Sequence, residues 1–126
     1  CTIDTINSNA ANRSSTIIKS RQKDGHLLLF NGWLLDKNTQ STAEHVAIIL
    51  RSKMDNTLYQ IEGYRSDRPD VANAYSNDSY MRSGLIGEGN GRLLPTGTYE
   101  TFFAPTTPTG KLNGLCSLNV SIEIKP

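Results

Sequence analysis

Histidine, cysteine, methionine and tryptophan are scarce in this chain. There are two each of the first three and a single Trp33 in 126 residues. His26 and His45 both sit at the edges of apolar stretches, and there is no HExxH, CxxC or Asp-x-Asp-x-Asp-Gly run, so the zinc and calcium signatures are missing. A Ser/His/Asp nucleophile lacks its GxSxG frame as well. The reading is of a non-enzyme with no cofactor and no metal. Charge of one sign is also lacking: 13 Lys+Arg against 12 Asp+Glu leave a net charge of +1, which speaks against a nucleic-acid partner. The longest apolar runs, Leu27–Phe30 and Val46–Leu50, fall far short of the ~20 residues that cross a bilayer, so this segment carries no membrane span. No helical period lasts beyond about two turns, and no repeat, low-complexity tract or linker divides the chain.

What is present is strand. The chain fits a single domain, 1–126, able to bury roughly two thirds of its unfolded surface around one core. After an extended arm and loop over Cys1–Arg13, Thr16–Lys19 is a short β-branched strand. His26–Asp36 is apolar on both alternating faces and reads as a central strand, with Gly32 as a bend that aims Trp33. His45–Arg51 and Thr57–Gly63 form a hairpin through Lys53–Asn56, and Leu85–Ile86 is a short strand ending in a turn at Glu88–Gly91. Thr98–Ala104 and Leu118–Lys125 close the chain across a Pro/Thr/Gly loop from Pro105 to Gly114. In the last strand Leu118, Val120, Ile122 and Ile124 share one face. These features predict an all-β fold: an antiparallel β-sandwich, Ig-like or jelly-roll-like, of six to eight strands with at most one short helix near 69–75.

The segment Tyr64–Gly84 fits neither strand nor long helix and concentrates three tyrosines, three arginines and three aspartates. Pro69 at a first helical position, with Val71, Ala74 and Tyr75 inward, predicts one or two helical turns. Arg68 offers a planar fork of donors to Asp36 or Asp70, a structural clamp of the segment onto the Trp33 strand. Tyr64, Tyr75, Tyr80 and Arg82 form a mixed aromatic and charged set suited to stacking on a sugar ring, and are the candidate glycan or partner contacts. GEGNG at Gly87–Gly91 resembles a phosphate loop, but Pro95 follows where such a loop needs a helix, so it reads as a turn. Sequons stand at Asn12, Asn77 and Asn119.

Cys1 and Cys116 admit two readings. They can pair and staple the first residues to the last strands, or Cys1 can be the acylated first residue of a lipoprotein, which leaves Cys116 a lone thiol. FNGWLLD at Phe30–Asp36, RPDVANAY at Arg68–Tyr75, SGL at Ser83–Leu85 and PTGTYETFF at Pro95–Phe103 together resemble a β-rich domain of bacterial membrane glycosyltransferases and related envelope-glycan proteins, found at their extracytoplasmic end. That pattern runs GWxxD, RPDV, a Gly-hydrophobic step and PxGxY; Leu85 departs from it, where an aromatic is usual. The resemblance implies a disulfide between the two cysteines and an extracytoplasmic location, periplasmic or cell-surface. It also implies a non-catalytic accessory role contacting bacterial glycan, or orienting the membrane-embedded part of the same polypeptide. The alternative is a free-standing lipoprotein or adhesin-like interaction domain acylated at Cys1.

Overall fold

Strand alternation decides which side of each strand is dry. In the computed structural model, which describes residues 1–6, 9–10, 16–21, 27–34, 45–90 and 93–125, the elements are β1 (Thr2–Ile6), β2 (Asn9–Ala10), β3 (Thr16–Arg21), β4 (Leu27–Trp33), β5 (Val46–Ser52), β6 (Leu58–Ser66), α1 (Pro69–Ala74), a 3-10 turn (Asp78–Tyr80), β7 (Gly84–Asn90), β8 (Gly97–Pro105) and β9 (Cys116–Lys125). Leu28 and Phe30 of β4, Val46, Ile48 and Leu50 of β5, Leu85 of β7, Tyr99 and Phe103 of β8 and alternate residues of β9 from Leu118 to Ile124 meet in one buried cluster. Their neighbours along each strand face outward, among them Leu29, Glu62, Tyr64, Ile86 and Glu88, all exposed.

The strands form one sheet in the order β2-β1-β4-β7-β6-β5-β8-β9-β3. Six strand spacings separate β1 from β9, about 29 Å in a flat sheet. Yet Cys1, beside β1, is disulfide-bonded to Cys116 at the start of β9, with Cα atoms 6.3 Å apart. The sheet therefore curls until its two flanks approach, and Ile6 of β1 lies in the same cluster as Ile122 and Ile124 of β9. Glycines on the inner face make room for this curl. Gly63 of β6 pairs directly with Gly87 of β7, and a Cβ on Gly87 would run into Ile48 Cδ1, as one on Gly89 would into Ile61 Cδ1. Long side chains of β5 and β6 thus fill the volume that side chains on β7 would take.

Several expectations are revised by this arrangement. The all-β, largely antiparallel architecture stands, with one short α-helix among the described residues, but the nine strands described there curl as a single half-barrel sheet where two stacked layers were expected. One pairing, β3 with β9, is parallel; no hairpin joins these two strands, so no turn dictates their orientation. The turn expected at Glu88–Gly91 is strand up to Asn90, because Gly89 serves close packing against Ile61 rather than reversal of the chain. Tyr64–Ser66 extend β6 and pair with β7, so the irregular segment begins only at Asp67. Gly32 is not a bend: it pairs on both sides, with Ile3 and with Leu85, and the irregularity beside it belongs to β1, at Asp4.

The last strand keeps its alternation but not a regular register with β8. Two more residues of β9 than of β8 lie between the pairs Phe102↔Ser117 and Glu100↔Ser121, and Asn119 adopts a φ of 56° there. Thr101, buried opposite this bulge, donates its hydroxyl hydrogen to Val120 O at 2.7 Å, so the interrupted ladder leaves a polar pair rather than an orphaned carbonyl. Tyr99, also buried, donates its hydroxyl hydrogen to Pro95 O. Burial pushes the Tyr99 phenol upward in pKa, helped by Tyr59 and Asp55.

Two measurements test this account of the curl. Replacing both cysteines by serine should lower unfolding free energy by about 2–5 kcal/mol in urea titrations, the range for removal of a native disulfide, and intact unreduced protein should weigh two hydrogens less than reduced protein. Gly87→Val, favourable on strand propensity alone, should instead destabilise by about 1–3 kcal/mol through overpacking against Ile48; equal or higher stability would show that the inner face has spare room.

Candidate functional site

Among the described residues, two segments cover the outer face of the sheet. The first is the segment between β6 and β7. Pro69 opens α1 at a position where a missing N–H costs nothing, and the helix buries Val71 and Ala72 with Tyr80 against Trp33 at the end of β4. Trp33 meets Tyr75 edge-on at 6.2 Å between ring centroids, and Tyr75 meets Tyr80 edge-on at 5.6 Å. Asn77 caps the 3-10 turn, its side chain accepting from Ser79 N at 3.0 Å. The second cover is the loop after β8, which folds back through a bridge between Thr106 and Leu112. Leu112 packs on Ala47, Ile49, Phe102 and Ala104 of the outer face. Thr107 N bonds Lys111 O at 2.8 Å, and Gly110 supplies the φ of 86° that the tip requires.

Arg68 fastens the first cover. Its Nε and Nη2 donate to the two carboxylate oxygens of Asp70 at 2.9 and 2.8 Å, while Nη1 reaches Asp4 at 2.7 Å and Gly32 O at 3.3 Å. Asp4 is the extra residue of β1 at the register shift between Ile3 and Thr5, so the bulge that interrupts the β1–β4 ladder re-aims this carboxylate toward Arg68. The hydrogen bonds from Arg68 hold the Asp70 carboxyl at about 2 in pKa, below its ordinary 3.8, and those to Asp70 and then Asp4 raise the guanidinium, against its partial burial. The Arg68–Asp70 fork forms, but both residues belong to the cover, so the fastening to the sheet comes from Asp4 and Gly32 O, neither of them an expected partner. Asp36, the other candidate, lies outside the described residues.

Between the two covers runs an open groove of about 1010 Å³. Gln60, Glu62 and Tyr64 project into it from the exposed side of β6, Thr106–Gly110 form one wall, His45 lies at the start of β5, and Arg82 lines it too, as does Arg65, whose side chain leaves the other face of β6 across from Leu85. Gln60 Nε2 donates to Gly110 O at 3.1 Å, tying floor to wall. Arg65 is half-buried and gives Nη1 hydrogens to Leu34 O at 2.8 Å and Ser83 O at 3.0 Å. Burial, then the nearby charge of Arg82, brings its pKa down to about 10, so it stays cationic at neutral pH. Arg82 pairs with Asp67 at 3.1 Å, both exposed.

The four proposed contact residues separate in space. Tyr64, 58% exposed, and Arg82 share the groove. Tyr80 is 5% exposed and packs inside the first cover, so its ring faces are taken by the protein, and Tyr75 stacks edge-on between Trp33 and Tyr80 while keeping 41% exposure. The sequence marks the groove wall Thr106–Gly110 only as part of a connection; the lone Leu112 amid polar residues is the signal that such a loop docks. Asp4 carried no signal, since a bulge depends on the partner strand. Among the described residues there is no group of three or more His, Cys, Asp or Glu side chains placed to hold a metal, and no helix long and apolar enough to cross a membrane. No protein-family model, curated protein or solved structure matches this chain.

The clamp predicts a pH signature. A carboxyl whose folded pKa is depressed to about 2 contributes stability that is complete above its ordinary 3.8 and is lost as pH falls through about 2. Asp70→Asn should therefore melt a few degrees below the parent at pH 6, a small gap because Asp70 is largely exposed, and the two melting curves should converge between pH 4 and 2. A gap that persists unchanged to pH 2 would mean that the carboxylate's charge is not what the clamp uses.

Proposed function

We propose that the chain is a non-catalytic, extracytoplasmic binding module whose groove between the two outer covers contacts a glycan. The observation that carries this reading is the make-up of the groove: one exposed aromatic ring, Tyr64, in the company of an amide (Gln60), a carboxylate (Glu62), a guanidinium group (Arg82) and the threonines of the 106–110 wall. Sugars are held by an apolar ring face on an aromatic and by hydroxyls that both donate and accept, and this lining offers a platform with donors and acceptors on either side. The resemblance of FNGWLLD, RPDVANAY and PTGTYETFF to envelope-glycan proteins points to the same ligand class and to a role as an accessory domain. The disulfide supports an oxidising compartment.

A contact with a partner protein, including a membrane-embedded part of the same polypeptide, is the second reading. It draws on the row across the outer face in which Asn31 pairs with Ile86 and Ile86 with Tyr64, where Ile86 and the adjacent Leu29 are each 41% exposed. Acylation of Cys1, the lipoprotein reading, needs the same sulfur that the disulfide occupies, which favours the accessory module over it.

A shallow site with one stacked ring gives an affinity on the order of millimolar to tens of micromolar, sufficient when tethering raises effective concentration to about the millimolar range. NMR titration with bacterial envelope oligosaccharides should shift Gln60, Glu62, Tyr64, Thr107 and Arg82 together. Tyr64→Ala, a surface change that leaves the fold intact, should weaken binding about three- to tenfold through loss of stacking. Silence at several millimolar sugar, or shifts clustered on β9, would favour the partner-contact reading.

A further inference from the structure

Asparagine followed by glycine stands at three places in the chain, Asn31–Gly32, Asn90–Gly91 and Asn113–Gly114. Such a pair is chemically labile wherever its backbone is free to turn, because glycine puts no side chain in the way of its own amide nitrogen. The sheet holds the first pair: Asn31 and Gly32 are laddered to Thr5 and Ile3 on one side and to Ile86 and Leu85 on the other, and Gly32 is buried. Asn90 pairs with Leu27 in β4, and Gly91 lies outside the described residues. The third pair is placed differently. Asn113 and Gly114 are both exposed, between the docked Leu112 and the start of β9. Gly114 takes a φ of 95°, and apart from its chain neighbours no atom lies within 4 Å of where a Cβ would stand. No ladder and no neighbour fixes this peptide unit, so the Asn113 carboxamide and the Gly114 nitrogen are free to meet.

We propose that Asn113–Gly114 is a site of spontaneous covalent modification, closing to a succinimide and opening to isoaspartate or aspartate, and that the change loosens the second cover. The Gly114 amide nitrogen attacks Cγ of Asn113. A new N–Cγ bond replaces the bond from Cγ to the side-chain nitrogen, which leaves as ammonia with the proton of the attacking amide. Water then adds to one of the two ring carbonyls. Cleavage at Cγ gives aspartate; cleavage at the backbone carbonyl gives isoaspartate, whose chain runs on through Cβ and Cγ. Water is the co-reactant, and nothing is oxidised or reduced. Both products carry a new negative charge, and isoaspartate lengthens the backbone by one carbon. That carbon enters between two anchors. On one side Leu112 packs on Ala47, Ile49, Phe102 and Ala104 and bridges to Thr106, with Asn113 N donating to Pro105 O at 2.9 Å. On the other side Cys116 is bonded to Cys1 and paired with Phe103. The disulfide side is covalent and cannot yield, so the displacement falls on the docked side, the same loop that walls the groove at Thr106–Gly110.

The experiment ages the disulfide-bonded 126-residue chain at mildly alkaline pH, folded in one sample and unfolded in urea with reductant in another. Peptide mapping by mass spectrometry follows the exchange of NH for O at each asparagine and separates isoaspartate from aspartate. In the folded sample Asn113 should react at least about tenfold faster than Asn31, and unfolding should bring the two within about twofold of each other, because both precede glycine and differ in the protection that the sheet gives. NMR spectra of the aged folded protein should show new signals for Leu112, Thr106, Ala47 and Gln60. Asn113→Gln, an exposed change, should show none of them after the same treatment. Reaction at Asn113 no faster than at Asn31 in the folded protein overturns the inference; reaction at Asn113 with these signals unmoved overturns the loosening of the cover.

Discussion

Everything in this molecule follows from closing a sheet on itself. Side chains on the inner face of a curled sheet converge, so the curl is possible only where some strands give up bulk to others. Here β7 does so: Gly87 and Gly89 leave space that Ile48 and Ile61 fill from β5 and β6, and the Gly63↔Gly87 pair lets the two backbones sit across from each other without side chains between them. The disulfide then joins the flanks that the curl has brought together. The staple depends on the curl, since across a flat sheet it would have to span about 29 Å.

Curling also determines where recognition can occur. The inner face is filled by the core, and the outer face is left for whatever the connections do. The β6–β7 connection settles over Trp33, and the connection after β8 settles through Leu112 over Ala47 and Ile49. Among the described residues, the groove is the interval between these two, floored by the exposed side of β6. Its chemistry is therefore set partly by a strand, whose alternation places Gln60, Glu62 and Tyr64 on one side, and partly by loop residues that the core does not constrain.

The legible part of this structure was the part governed by local pattern. Period-2 alternation in Leu118–Ile124, the Pro69 start of α1 and the Arg68–Asp70 fork are all short-range features, and the structure carries each of them. What was not legible depends on residues distant in sequence. The role of Gly87 is visible only once Ile48 is known to lie beside it. Asp4 joins the clamp because a bulge arises from pairing with β4, and Tyr80, polar-tipped and apparently suited to a surface, is buried because Val71 and Trp33 reach it. A sheet and a sandwich share the same strand patterns along the chain; the difference lies in whether glycines occupy matching rows of neighbouring strands.

The parallel pairing of β3 with β9 bears on how the chain reaches this state. Thr16–Arg21 find their partners at Val120–Lys125, and Cys1 waits for a cysteine 115 residues later. During synthesis the central hairpin of β5 and β6 can form early, while β3 and the Cys1 thiol stay unpaired until the last strand has emerged. Contacts of such long sequence separation come late and slow folding down, because the loop-closure entropy must be overcome before they stabilise anything. Oxidation of the cysteine pair thus marks the end of folding rather than its beginning, and a thiol trap applied during refolding would report when the curl closes.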